Sequence, residues 1–556
     1  AWPCPILSKK SSVPRRDGRY LSMLAVLIAL VPLLFFHAAQ ASKPRQLAWR
    51  AGDEPGLRIR LTQHALNYVT QEVMPKVLTS LHDSELEGVS GTYSNVEYRL
   101  WSVKINKIGV QEPGISFQGS SGLELCLKGI TANVSSAWFA SWLFLSDAGK
   151  VNVVVPDGEL CASLALGKTR KGTPKVDLTS MDVNLRLGQV KFEGSSLRWI
   201  MDAAAWLFQS RLEELASSTL KEQVQDAVKN DLAKALNSMD TIVELPMPEV
   251  NDSMAIDLGL NKIMTTRDYL QVDLRGTPSL VNHSSRVCPY PQEEFESVLP
   301  TNWSNHMVAF DTSKREIRCF LWLVNSTGIL RYTLWPAGVP ENPLGLSLDT
   351  SFMSILAPGL KDVYEKKQWL LAEAEVGSEM PTFEFKPGHM NAQVPMVFNF
   401  LRLIKTDGNY SAENSEFVFS FKADIHGRAD LVIHPGKGSQ PARLKAHATL
   451  LRASNLRQGT SVVGPVDLMM ASQLISVVRP TAEDALNNDT FSKYVPLGDP
   501  NGLFELPNVS ANITEGGAFF ISNLLFNGTQ TKTFLKGDST RNPALTSKPE
   551  TETIIP

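Results

Sequence analysis

Ser196–Met239 reads SLRWIMDAAAWLFQSRLEELASSTLKEQVQDAVKNDLAKALNSM. Its apolar residues Leu197, Ile200, Met201, Ala204, Leu207, Phe208, Leu212 and Leu215 recur at the spacing of one helical face. After Ser217 and Ser218 the pattern resumes at Leu220, Val224, Ala227, Leu232 and Leu236. At 1.5 Å per residue an unbroken helix would be on the order of 60 Å long. No compact globule buries such a stripe from end to end, so the helix needs an elongated partner. The residues before it supply one, and we read the helix as the lid of a long, one-sided sheet.

Working back from the helix, Gly91–Phe192 shows strand-like runs and no helical period. They are Val96–Val103, Gly122–Val134, Lys150–Val155, Glu159–Leu166 and Lys175–Phe192, separated by Gly, Pro and Asp-Gly turns. Earlier still, GLRIRL at Gly56–Leu61 predicts a strand. The helix expected next carries Leu66, Val69, Val73, Val77 and Leu81 on one face, with Pro75 predicting a kink or an early end.

Forward of the helix, LPMPEV at Leu245–Val250 predicts its stop, and a second pass of the same kind begins. Strands are expected at Leu270–Leu274, His306–Phe310, Glu316–Val324 and Ile329–Leu334. A shorter helix at Ser351–Trp369 would turn Met353, Ile355, Leu356, Leu360 and Val363 inward. Strands follow at Thr382–Phe385, Val394–Ile404, Glu416–Ile425, Ala429–Ile433 and Ala442–Arg452. A last amphipathic helix spans Val466–Leu486 with Pro480 inside it, and a closing strand spans Ala518–Leu525. The fold class is α+β with two halves of similar content.

A composition of 43% hydrophobic and 20% charged residues is that of a globular chain, and a net charge of -3 offers no global attraction to nucleic acid. Leu24–Phe36, an apolar run interrupted by Pro32, follows Arg15, Arg16 and Arg19 and precedes Ala39-Gln40-Ala41. It is shorter than the roughly 20 residues of a membrane span. Residues 1–41 therefore predict a signal peptide region, with Met23 as its start and Ser42 near the mature terminus. Ten N-x-S/T sequons, from Asn133 to Asn527, agree with a secreted glycoprotein.

Four cysteines remain beyond the signal: Cys126, Cys161, Cys288 and Cys319. With the hairpin turn at Ser146–Gly149, Cys161 faces residue ~134, so a Cys126–Cys161 bond requires a bent or bulged strand. Cys288–Cys319 brackets a loop and is the easier pairing. No G-x-S-x-G, H-E-x-x-H or C-x-x-C occurs, and His426 and His434 stand eight apart with no acidic or cysteine cluster. No catalytic chemistry, metal or cofactor is expected.

Four stretches resemble the family of bactericidal/permeability-increasing protein, lipopolysaccharide-binding protein and the phospholipid and cholesteryl ester transfer proteins. They are Pro55–Leu81, Gly122–Gly167 ending in DGELCASLALG, His306–Leu334, and Ala453–Pro480 with SNLRQG and GPVDLMMASQLISVVRP. The order of these stretches over residues 50–530 carries the resemblance. It implies a boomerang of two tubular lipid-binding barrels joined by a central sheet: 42–245, a linker and central-sheet segment at 246–269, and 270–535, before a disordered tail at 536–556. Leu66, Val69, Val73, Leu197, Ile200, Ala204, Leu207 and Phe208 would line the first apolar pocket. Met353, Leu356 and Leu360 would line the second.

The function expected from the resemblance is innate defence through recognition of lipopolysaccharide-like envelope lipid, with phospholipid or neutral-lipid transfer as the alternative. A lipid hydrolase, tested by turnover of chromogenic esters, is a third. The expected partners are phospholipid or lipopolysaccharide and a membrane surface, with no nucleic acid. Two departures stand out. Lys175–Phe192 and Ser196–Met239 hold no cysteine, so the family's disulfide from strand to long helix is missing. The barrel tip that is basic in lipopolysaccharide binders corresponds to Ser135–Gly149, SSAWFASWLFLSDAG, which has no Lys or Arg. Residues 42–240 balance 22 Lys and Arg against 22 Asp and Glu.

Within that tip, Trp138, Trp142 and Phe144 alternate with Phe139, Leu143 and Leu145, so both faces are apolar. Such a stretch is either buried on both sides or exposed to lipid. Its place beside the hairpin turn and the enrichment of Trp at membrane interfaces favour lipid. Trp138, Phe139, Trp142, Leu143 and Phe144 are therefore expected to touch membrane.

Overall fold

The structure is a computed structural model describing residues 54–526, apart from 82–84, 87, 94–95, 120–121, 143–144, 248–251, 283–287, 292, 328–330, 337–346, 365, 407–408, 435–442, 488–494 and 497–503. Of 195–240 it describes 213, 217–218, 221–222, 224–226, 228–229 and 236. The architecture is α+β and mostly strand: two large antiparallel sheets, each packed against helix, with a six-stranded sheet built from both halves.

The chain opens with β1 (Leu57–Thr62) and α1 (Gln63–Leu81), which runs through Pro75. The first large sheet is built on β2 (Val96–Gln118), β3 (Gly122–Trp142), β4 (Leu145–Val155), β5 (Asp157–Lys168) and β6 (Pro174–Arg186). Strands of this length bury every second residue against helix. On β5, Leu160, Ala162 and Leu164 are core while their neighbours are not. Leu66 and Val69 of α1 join the same cluster, as do Val224, Val228 and Leu236 from the stretch expected to form the long helix. The Glu213 carboxylate also accepts from Leu187 N at 2.8 Å. Leu197, Ile200, Ala204, Leu207 and Phe208 lie outside the described residues, as does the side chain of Val73.

Cys126 and Cys161 are bonded, and no bulge is needed. Trp142 pairs with Leu145, Ala132 with Val155 and Cys126 with Cys161, one unbroken register in which β3 faces first β4 and then β5. The hairpin therefore closes between Trp142 and Leu145, not at Ser146–Gly149. Moving a hairpin's centre by four residues moves every partner by eight, which is the whole of the expected mismatch.

The central sheet has the order β7-β8-β1-β9-β16-β15, where β7 is Leu260–Thr265, β8 Tyr269–Leu274, β9 Val308–Ser313, β15 Ser510–Thr514 and β16 Gly517–Ser522. LPMPEV begins as strand: Ile242–Met247 pairs with Asp252–Asp257. The alternation of β1 is covered on both faces. Ile59 and Leu61 enter the core, while Arg58 meets Asp273 at 2.8 Å and lies under the Phe295 ring. The Arg60 guanidinium donates to Gln271 (2.9 Å) and Ser297 (2.7 Å), with Asp311 at 3.8 Å. Burial pushes the Asp311 carboxyl above its usual range and the Arg60 guanidinium below its own.

The strand expected at Glu316–Val324 is instead helix α2 (Lys314–Ser326). Ser313-x-x-Glu316 is a capping pair: the Ser313 hydroxyl accepts from Glu316 N at 3.3 Å, satisfying an otherwise orphaned donor. Cys319 on this helix is bonded to Cys288. The single helix expected over Ser351–Trp369 is two short ones, α3 (Thr350–Met353) and α4 (Leu360–Val363), separated by a stretch containing Pro358.

The second large sheet runs β10-β11-β12-β13-β14 and is roofed by α5 (Leu468–Asn487). Its strands are β10 (Tyr332–Leu334), β11 (Leu370–Val376), β12 (His389–Thr406), β13 (Asn409–His434) and β14 (Arg443–Ser461).

Candidate functional site

Between α5 and the second sheet lies a cavity of about 460 Å³, within the ~300–1,000 Å³ range of ligand sites. Its floor follows from period two. Val394, Met396, Phe398 and Phe400 share one face of β12. Their partners on β13 include Ile425 opposite Val394 and Phe421 opposite Phe398. Phe398 and Phe421 stack with centroids 4.8 Å apart. Ala372 and Ala374 of β11, opposite Phe400 and Phe398, keep the floor open because they are small.

The roof follows from period 3.6. Leu474, Ile475, Val478, Ala482 and Leu486 of α5 line the cavity. Asp467 starts the helix by accepting from the backbone N–H groups of Met469 (2.9 Å) and Met470 (3.1 Å). A second stripe, Arg479, Glu483 and Asn487 at four-residue spacing, is stitched to β14. Arg479 donates to the Leu451 carbonyl (3.1 Å), and Glu483 accepts from Leu450 N (2.9 Å). The Asn487 amide exchanges two bonds with the Ala448 backbone (2.8 and 2.7 Å). The helix thus satisfies backbone groups of a strand edge while holding its apolar stripe off the sheet floor.

Polar groups are few: Ser472 and Ser476 on the roof helix, and charged side chains along the edges. At β10–β11, Arg331 pairs with the largely buried Glu373, which holds the guanidinium above its usual pKa. At β14, Arg452 and Arg479 border the opening beside half-exposed Leu451.

Met353, Leu356 and Leu360, expected to line the second pocket, do not line this cavity. All three are packed in the core with Val463, Val466 and Ala471, because α3 and α4 plug the sheet at the start of α5. The residues that do line it were legible only in part. The alternation VFNFL at Val397–Leu401 and the amphipathic stripe of α5 are sequence signals, but neither says which two surfaces face each other.

The aromatic tip is divided. Trp138 is 2% exposed, lies over Gly149 and meets Phe192 edge-on at 5.3 Å, within a cluster that includes Val151. Its expected membrane contact is corrected: the indole is core, since residue 149 has no side chain to exclude it. Phe139, on the other face, is 37% exposed, and Trp101 on the neighbouring strand is 39% exposed. Leu143 and Phe144 lie outside the described residues, as does the side chain of Trp142.

Comparison with known proteins gives a consistent set of relatives. Residues 65–239 match the model of the LBP / BPI / CETP family, N-terminal domain. Bactericidal permeability-increasing protein of Rattus norvegicus is 22% identical over 464 residues, covering 82% of this chain and 91% of the relative. Lipopolysaccharide-binding protein of Bos taurus is 23% identical over 354 residues, 62% of this chain and 70% of the relative. A crystal structure of lipopolysaccharide binding protein aligns with a TM-score of 0.48 at 18% identity, over 85% of this chain and 99% of that one.

Proposed function

We propose, from the match of residues 65–239 to the LBP / BPI / CETP family, N-terminal domain, that the chain is a secreted, non-enzymatic lipid-binding protein of that family. In this reading it takes amphipathic lipids by their acyl chains and recognises microbial envelope lipid of the lipopolysaccharide type. The observation that carries it is the cavity under α5: an apolar floor, a mainly apolar roof interrupted by Ser472 and Ser476, and charged groups at the edges. Such a lining rewards burial of methylenes, each contributing ~0.8 kcal/mol, and offers no group placed for covalent chemistry. The domain reading pairs this C-terminal barrel, 270–535, with a second lipid-binding barrel at 42–245 that includes Leu66 and Val69. Phe139 and Trp101 are its membrane contact.

One observation favours the transfer of phospholipid or neutral lipid between membranes or particles as a second reading. Residues 42–240 are electrically balanced and the tip lacks Lys and Arg, so attraction to an anionic surface of ~1 kcal/mol per basic residue is missing there.

The test is mass spectrometry of lipids co-purifying with the full chain from secreting cells, alongside Ala374→Trp. Ala374 faces Phe398 across the cavity floor, so an indole there fills the space. The expected outcome is acyl lipid on the wild type and less of it on the variant. A wild-type chain that carries no lipid and takes up none from vesicles rules the reading out.

A further inference from the structure

At the opening under α5 the ladder between β13 and β14 slips by one residue. His426 pairs with Arg452 and Gly427 with Leu450, leaving Leu451 as the extra residue of a bulge. A bulge re-aims the side chains beside it, and here Leu450, Leu451, Arg452 and Ala453 all border the cavity. Arg479 donates one N–H to the carbonyl of that same Leu451, which holds its guanidinium next to the Arg452 segment. The counter-charge is thin. Glu483 lies 3.9 Å from Arg479 and has an oxygen committed to Leu450 N. Arg452 has no hydrogen-bond or ion-pair partner among the described residues. At the other edge of the sheet Arg331 is neutralised by Glu373. The cavity therefore has one balanced edge, Arg331 with Glu373, and one edge where Arg452 and Arg479 face the single carboxylate of Glu483, a net positive charge that favours an anion there.

We propose that Arg452 and Arg479 form the headgroup site of the cavity, selecting amphiphiles whose headgroup is a phosphomonoester over zwitterionic ones of the same chain length. The inference rests on the reading of the cavity as an acyl site. It places phosphate recognition in the C-terminal barrel, away from the Ser135–Gly149 tip, which has no Lys or Arg. Arginine suits the task because its planar fork of N–H donors matches phosphate oxygens even after one donor is used on Leu451.

The experiment is calorimetric titration of the full chain with dodecyl phosphate, dodecylphosphocholine and inorganic phosphate, all below micellar concentrations. It is repeated with Arg452→Gln/Arg479→Gln and with Arg331→Gln. Two cations at the opening predict a preference of about tenfold or more for dodecyl phosphate over dodecylphosphocholine. The double variant should bring the two within about twofold while still binding both amphiphiles, and Arg331→Gln should leave the preference intact. Inorganic phosphate should bind far more weakly than dodecyl phosphate. Equal binding of both amphiphiles to the wild type overturns the headgroup site while leaving the acyl cavity standing. Inorganic phosphate binding as tightly as dodecyl phosphate, or a preference that survives the double variant, also overturns it. Failure of both amphiphiles to bind overturns the cavity reading and the site together.

Discussion

Glu316 makes the stability of this protein fall as pH rises through neutrality. Its side chain sits in the first turn of α2, 5% exposed, over Gly56, where a β-carbon would lie 2.4 Å from the Glu316 Cγ. Burial raises its pKa to about 7, against the smaller opposing pull of the Arg315 guanidinium beside it. The unfolded carboxyl titrates near 4.5. Between those values the folded chain keeps a proton that the unfolded chain has released. The stabilisation is fully present below about pH 4.5 and is lost as pH rises through about 7. Each pH unit inside that window costs about 1.4 kcal/mol, roughly 2–3 kcal/mol between pH 5 and 8. Glu316→Gln keeps the shape and the backbone cap but cannot ionise. Urea denaturation of both chains at pH 5, 6, 7 and 8 should show the variant gaining that amount on the wild type as pH rises. Taking the difference cancels the slope from Asp311 on β9, whose carboxyl is also raised by burial. A difference that stays flat with pH refutes the reasoning and means that Glu316 is ionised in the fold throughout, held by Arg315.

Three further outcomes follow from the packing. Trp138→Ala should cost ~3–5 kcal/mol by denaturant unfolding, since it empties the space over Gly149; a loss below 1 kcal/mol would mean that the indole is not core. Phe139→Ser with Trp101→Ser should weaken flotation with phosphatidylcholine vesicles at an unchanged melting temperature, and undiminished flotation would remove that face as the membrane contact. Ser313→Ala should cost ~1 kcal/mol through loss of the α2 cap, and no change in unfolding free energy would show that the cap is replaced by water.

Local patterns in the chain carried the element types wherever one face meets water and the other meets core. The stripe of Leu468–Asn487 and the alternations of Leu123–Leu125 and Phe398–Phe400 need only their own residues to be read. The cap Ser313-x-x-Glu316 was equally local. It marks α2, where the apolar run CFLWLV reads as strand until the cap is weighed. What residue order leaves undecided is which surfaces meet. A period of two says that Trp138 and Phe139 point opposite ways, but only the register that pairs Trp142 with Leu145 sets Trp138 over Gly149 and leaves Phe139 outside. The same register decides that Cys126 meets Cys161. The charges of β1 look solvated in sequence and are buried in the fold, because Phe295, Trp303 and Asp311 arrive from residues more than 200 positions away. The slip at Leu451 that brings Arg452 to the cavity edge depends on the neighbouring strand, and no pattern within β14 announces it. Period and capping act over a few residues of one chain segment; register, burial and cavity are properties of pairs of segments, and only tertiary packing chooses the pairs.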